Sequence, residues 1–234
     1  MLSRRDPSKP ILVSFSGLDG SGKTTQIAAL REAVAQLGMN SVLITFWDDV
    51  VVATSFREGF VHRVLGSEKG VGEPGRPVQR RDKNVRAAYL TLSRHLLYLA
   101  DAMHLCVVLY RARRNGAQVI VTDRYLYDEL ANLPLNNPFS AAYARLLAFL
   151  VPRPDLAILM DTDPVAARAR KPEYSLDFMH QSRRSYFRLA QLLGYITVVP
   201  PLGIEDARRA VLTSFLRVLN RRSAEPLAGA APAA

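Results

Sequence analysis

The run Gly17-Leu18-Asp19-Gly20-Ser21-Gly22-Lys23-Thr24 fits the spacing G-x-x-x-x-G-K-[ST], and its residue types are those needed to hold a chain of phosphates. Glycines let the backbone N–H groups of Gly17, Leu18, Asp19, Gly20, Ser21 and Gly22 turn inward around an anion. A helix beginning just after them presents the positive end of its dipole to the same anion. The Lys23 ammonium can then bridge the terminal phosphates, and the Thr24 hydroxyl, with Thr25 beside it in the first helical turn, can ligate Mg2+. An ordinary glycine turn with a solvated lysine is the alternative, but the motif lies between a strand-like and a helix-like stretch, as phosphate binding requires.

A second pair of chemically active residues is Asp123-Arg124, at the end of the apolar run 118–123 (QVIVTD). A strand ending there delivers both side chains to the edge of a sheet where ligands of α/β proteins collect. Asp123 can hold the water shell of a magnesium ion and Arg124 can grip a phosphate with two parallel N–H groups. A structural ion pair at a strand end is the plainer alternative.

These residues need elements to position them, and the pattern of apolar residues supplies them. Residues 11–16 read as a strand, and Ile27, Leu30, Val34 and Leu37 recur at helical spacing over 26–37. Gly38 stops that helix, and 41–47 (SVLITFW) reads as a second strand buried on both faces. An apolar stripe from Val85 to Tyr110 predicts one long helix ended by Asn115 and Gly116. Further short apolar runs at 118–123, 156–161 and 196–200 alternate with helical segments. The expectation is a doubly wound parallel sheet of about five strands flanked by helices, in one domain over 1–223. Residues 66–83, rich in Gly, Pro and charge, read as a mobile loop, and 224–234 as a disordered Ala/Pro-rich tail.

Composition narrows the class of partner. Thirty-one basic against 21 acidic residues give a net charge of +10, which favours anionic ligands. Small phosphorylated molecules meet that need, whereas no nucleic-acid-binding motif accompanies the charge. The single cysteine, Cys106, cannot close an internal disulfide and lies in an apolar stretch that suits a buried, inert thiol. The short polar start, followed by a stretch too brief for a signal or a span, gives the expectation of a cytoplasmic protein without membrane contact.

With these residues in place the sequence resembles the thymidylate kinase family of P-loop proteins. GLDGSGKTTQ (17–26) looks like its phosphate loop and Asp123-Arg124-Tyr125 like its Asp-Arg-Tyr motif. LLYLAD (96–101) is similar to its helix beside the nucleobase, and DTDPVAARAR (161–170) with SLDFMHQSRRSYFRLA (175–190) resembles the segments around its lid. The resemblance implies a P-loop kinase fold and ATP-dependent phosphorylation of a nucleoside monophosphate, dTMP first among candidates. It also implies that Asp19 lies near the acceptor sugar and metal, that Tyr98 can stack on a base, and that a short lid carries Arg168, Arg170 and Lys171 as cations for the transferring group. The expected partners are a small-molecule phosphate acceptor and, as an open alternative to a monomer, a second copy of the chain.

The sequence also departs from the family pattern. Phe46-Trp47-Asp48-Asp49 stands where the family has Arg-Glu-Pro-Gly-Gly, Ala102 stands where it has a base-reading arginine, and Ser16 replaces an acid. Asp128 and Glu129 stand where small polar or amide residues are common. Asp48 is thus a candidate acceptor-side residue, and the two aspartates are equally suited to capping a helix. Two other readings stay open at this point. One is a kinase for a neutral hydroxyl acceptor, such as a nucleoside or sugar, with Asp48 as base. The other is an ATP-dependent switch or nucleic-acid-binding ATPase.

Overall fold

The computed structural model describes residues 9–52 and 88–224. The loop expected over 66–83 and the tail from 225 onward lie outside the described residues.

Five parallel strands form one sheet: β1 (Ile11–Gly17), β2 (Ser41–Thr45), β3 (Val119–Asp123), β4 (Leu156–Met160) and β5 (Ile196–Val199), in the order β2-β3-β1-β4-β5. The β-branched and apolar residues of β1, β3 and β4 are covered on both sides, which is why they read as continuous apolar runs. The chain leaves β1 toward β2 and β3 on one side and later returns to β4 and β5 on the other. The loop after β1 therefore opens where the winding reverses, the place such sheets use for ligands.

Helix α1 (Lys23–Gln36) follows that loop. Ile27, Leu30 and Val34 pack with Phe15, Val121, Val211 and Phe215 in one core layer, which α7 (Ile204–Ala224) completes. The opposite layer is built on α2 (Ala88–Arg114), α3 (Leu126–Leu130), α4 (Pro138–Leu150) and α6 (Leu176–Leu193), with α5 (Pro164–Arg170) between β4 and α6. Local signals set the helix ends. Asn137, Asp163 and Ser175 accept from the backbone N–H groups of Phe139, Ala166 and Phe178, and Gly194 closes α6 at φ 71°.

The sequence reading of 41–47 as a strand buried on both faces is corrected. β2 stops at Thr45 and lies at the sheet edge with Leu43 exposed, and residues 46–50 form a single π-helical turn. The Asp49 carboxylate accepts from the Thr45 N–H at 2.6 Å and so turns the chain out of the ladder. An apolar run alone does not say whether a strand is central or at an edge. None of the described helices is long and apolar enough to cross a membrane.

Candidate active site

Gly17 and Gly20, at φ 138° and 79°, make the loop after β1 possible. A Cβ on Gly17 would stand 2.5 Å from the Met160 carbonyl oxygen, and one on Gly20 2.5 Å from that of Ala167. Only glycine fits where the loop presses against β4 and α5. Gly22, at φ 87°, starts α1, and a Cβ there would meet nothing within 4 Å. The loop is thus backed by protein at two glycines and open at the third, over the first turn of α1, where Thr24 and Thr25 are exposed.

Lys23 folds back over this loop. Its Nζ donates to the Leu18 carbonyl at 2.7 Å and the Gly17 carbonyl at 3.0 Å, with the Ser21 hydroxyl at 3.5 Å. Burial, together with the Arg124 charge, lowers the ammonium to about 8, against which Asp19, Asp128 and Asp123 act. A buried lysine whose only described hydrogen-bond partners are neutral oxygens is poised to exchange them for phosphate oxygens.

Arg124 faces the loop from the end of β3. Its φ of 67° is the one left-handed value at a non-glycine residue among the described residues, and its N–H donates to the Phe15 carbonyl at 2.9 Å. This bend turns the guanidinium back over β1. Nη1 donates to Asp128 at 2.8 Å and approaches the Gly17 carbonyl at 3.4 Å, while Nη2 pairs with Asp19. Burial opposes the charge, but the carboxylates of Asp128 and Asp19 hold the guanidinium well above its ordinary value. Burial likewise pushes the Asp19 carboxyl up, and Arg124, Lys23 and Lys171 more than reverse this, leaving it below the usual carboxylate range.

Asp123 is the last residue of β3, level with Phe15 of β1 and Thr45 of β2, and its charge acts on Lys23. The described residues hold no group of three or more metal-ligating side chains. That donor set still suits Mg2+, which keeps several waters and takes one or two protein oxygens together with phosphate oxygens. The Thr24 hydroxyl and the Asp123 carboxylate offer such oxygens.

Of the lid cations, Arg170 donates to the Thr162 hydroxyl at 2.8 Å, just past β4. Lys171 stands 4.0 Å from Glu173 and its charge reaches Asp19, while Arg168 is partly buried in the last turn of α5. The structure does not bring Asp48 or Tyr98 into this cluster of charges. Asp48 is exposed in the turn after β2, where its neighbour Asp49 does the capping. Tyr98 is buried in the core with Val50, Ala102 and Tyr125. Cys106 is half-buried, its thiol raised by burial, with Sγ 3.8 Å from the Leu150 carbonyl.

Sequence reasoning missed two features. Arg183 of α6 clasps the buried Asp161 with both Nε and Nη2 at 2.7 Å, fixing α6 to the end of β4. Tyr186 of α6 donates to Asp128 at 2.7 Å. Neither has a spacing signal, because each contact joins distant segments. The regular apolar pattern of α6 shows only which face is buried.

Comparison with known proteins agrees with this geometry. Residues 15–211 match the family model described as thymidylate kinase. A thymidylate kinase of Desulforudis audaxviator is 29% identical over 192 residues, covering 77% of each chain. A probable thymidylate kinase of Pyrococcus abyssi is 29% identical over 213 residues, covering 86% of this chain and 93% of its own. The crystal structure of thymidylate kinase from Ehrlichia chaffeensis superposes with a TM-score of 0.57 at 17% identity, over 89% of this chain and 99% of that one, which establishes the fold. With the phosphate loop, the Asp-Arg-Tyr strand end and strands β2 to β5 inside the matched span, the chain belongs to the thymidylate kinase family.

Proposed function

We propose that the protein transfers the γ-phosphoryl group of ATP to a nucleoside monophosphate, converting dTMP to dTDP. The observation that carries the reading is the pair of cations meeting over one loop: Lys23 closed on the loop carbonyls and Arg124 held across from it between Asp19 and Asp128. One suits a donor phosphate chain and the other an acceptor phosphate. An acceptor phosphate already has a nucleophilic oxygen, so the work left to the protein is positioning and electrostatic stabilisation.

In this reading the backbone of residues 17–22 and Lys23 bind the donor phosphates, with Thr25 beside them. Arg124 binds the acceptor phosphate and Asp19 stands beside the acceptor sugar. Arg168, Arg170 and Lys171 face the charge that spreads over the transferring group. Thr24 and Asp123 would hold Mg2+, which when bound neutralises charge on the donor phosphates. The hydroxyl-acceptor kinase and the ATPase readings raised by the sequence are not favoured by family membership. ATP supply supports a cytoplasmic location, which cell fractionation checks.

Selectivity for the base is expected to be modest. Ala102, buried on the same face of α2 as Tyr98, offers no hydrogen bond to a base edge. A missing contact of that kind is worth about 1 to 3 kcal/mol, so kcat/KM for dTMP should exceed that for dUMP or dCMP by less than about a hundredfold. Steady-state ADP formation with the three monophosphates measures this. A larger preference would show that another side chain reads the thymine, and turnover of nucleosides alone would overturn the monophosphate reading.

A homodimer is also part of the proposal. Leu96, Met103, Val107 and Tyr110 stay exposed along one stripe of α2, with Met103 59% and Tyr110 57% accessible. Such a stripe suits a two-fold contact of α2 with its counterpart. Sedimentation is expected to give a dimer, and Met103→Glu a monomer. A monomeric parent would rule the interface out.

A further inference from the structure

Asp128 has no part in the binding scheme above, yet four donors converge on it. Its Oδ1 accepts from Arg124 Nη1 at 2.8 Å and from the Tyr186 hydroxyl at 2.7 Å. Its Oδ2 accepts from the Ser16 hydroxyl at 2.6 Å and from the Tyr125 N–H at 3.1 Å. A carboxylate has about four lone-pair sites, so this one is filled. The donors come from β1, the β3–α3 connection and α6, and the carboxylate cannot turn without breaking bonds to several elements at once.

The two carboxylates on Arg124 differ in their freedom. The Asp19 side chain is 28% exposed and rides on the phosphate loop, whereas that of Asp128 is 1% exposed. An incoming dianion can compete with Asp19 for Nη2, but it cannot reach Asp128. Asp128 is therefore the fixed arm of the pair and Asp19 the exchangeable one.

We infer that Asp128 and Tyr186 are positioning residues for Arg124: the filled carboxylate fixes one edge of the guanidinium so the other can engage the acceptor phosphate, and Tyr186 ties that pose to α6. The inference rests on the acceptor role given to Arg124 above. Tyr186 connects the site to the lid, because α6 begins at Leu176, only a few residues after the lid cations. Burial, with the Asp128 carboxylate beside it, keeps the Tyr186 hydroxyl protonated and hence a donor through the working pH range.

The test is steady-state kinetics of the full chain with ATP and dTMP for Asp128→Asn and Tyr186→Phe, each made alone and in an Arg124→Ala background. Loosening the guanidinium is expected to lower kcat/KM for the monophosphate by about tenfold to a hundredfold in Asp128→Asn. In Tyr186→Phe, which removes one hydrogen bond, the loss is about threefold to tenfold. The KM for ATP should change by less than about twofold in Tyr186→Phe, which leaves in place every charge acting on Lys23, including that of Asp128. In the Arg124→Ala background both further losses should vanish, as expected for residues that act through Arg124. The same factors persisting without Arg124, or a matching rise in the KM for ATP in Tyr186→Phe, would overturn the inference and leave only a structural role. Tyr186→Phe keeps the carboxylate and its charge pair, so it decides the matter even if Asp128→Asn fails to fold. If the parent turns over a monophosphate other than dTMP, the dTMP reading fails, while the same ratios measured with that acceptor still decide the positioning role.

Discussion

Lys23→Ala is expected to lower kcat by about a thousandfold, roughly 4 kcal/mol in the barrier, while the chain stays folded. The size follows from where the charge acts. Lys23 is buried on the loop, so its ammonium meets developing charge with little water between them. Stability should not suffer in step. The folded ammonium sits near 8, below its ordinary 10.5, so the unfolded chain binds more protons between those values and stability rises with pH across that window. Below about pH 8 the buried charge therefore weighs against the fold, and the variant should melt within a few degrees of the parent at neutral pH. The same value sets the pH dependence of donor binding. Above pH 8 the free protein must take up a proton to bind ATP through a charged Lys23, so affinity falls as pH rises. Calorimetry in buffers of differing ionisation enthalpy should show that uptake in the parent and not in the variant. Undiminished turnover in the folded variant would reject the donor site.

Arg124→Ala should be the more damaging change, because it removes a binding group and strands a buried charge. Asp128 loses the cation it is hydrogen-bonded to while remaining walled in by Ser16, Tyr125 and Tyr186. Leaving such a carboxylate without its partner costs about 3 to 5 kcal/mol. In a chain of this size that is a fall of roughly 10 °C in Tm. Acceptor kcat/KM should fall about a thousandfold as well, with the KM for ATP close to that of the parent. Thermal melts and steady-state kinetics check the two halves separately. A variant with full stability would show that Asp128 does not depend on Arg124, and one with full kcat/KM would remove Arg124 from the acceptor side.

The parts of the site legible in the sequence are those whose chemistry is local. The phosphate loop is eight consecutive residues, and two of its glycines, Gly17 and Gly20, are demanded by backbone approach to Met160 and Ala167. Arg124 was legible as a strand-end residue, but its left-handed backbone and its forked pairing were not. Asp128 was legible only as an acid where small polar or amide residues are common, and its role as the anchor of Arg124 emerges from contacts with Ser16, 112 residues earlier, and Tyr186, 58 later. The second strand was read two residues too long for a related reason. Phe46 and Trp47 continue the apolar run, and only the Asp49 side chain, bonding back to Thr45, ends it. Sequence spacing records which face is buried, whereas hydrogen bonds between distant segments decide what a side chain in that face does.

The contact between Gly20 and Ala167 also bears on how the chain is made. The loop is complete once residue 24 has been synthesised, but the backbone it leans on arrives only with β4 and α5, about 145 residues later. Pairing of β1 with β4 joins Val13 to Leu156, a closure that local structure cannot reward in advance. Phosphate binding is therefore acquired late in folding. A nascent chain that already displays the whole motif is not yet a nucleotide-binding protein, and ATP in the cell stabilises the finished fold without guiding the early steps toward it.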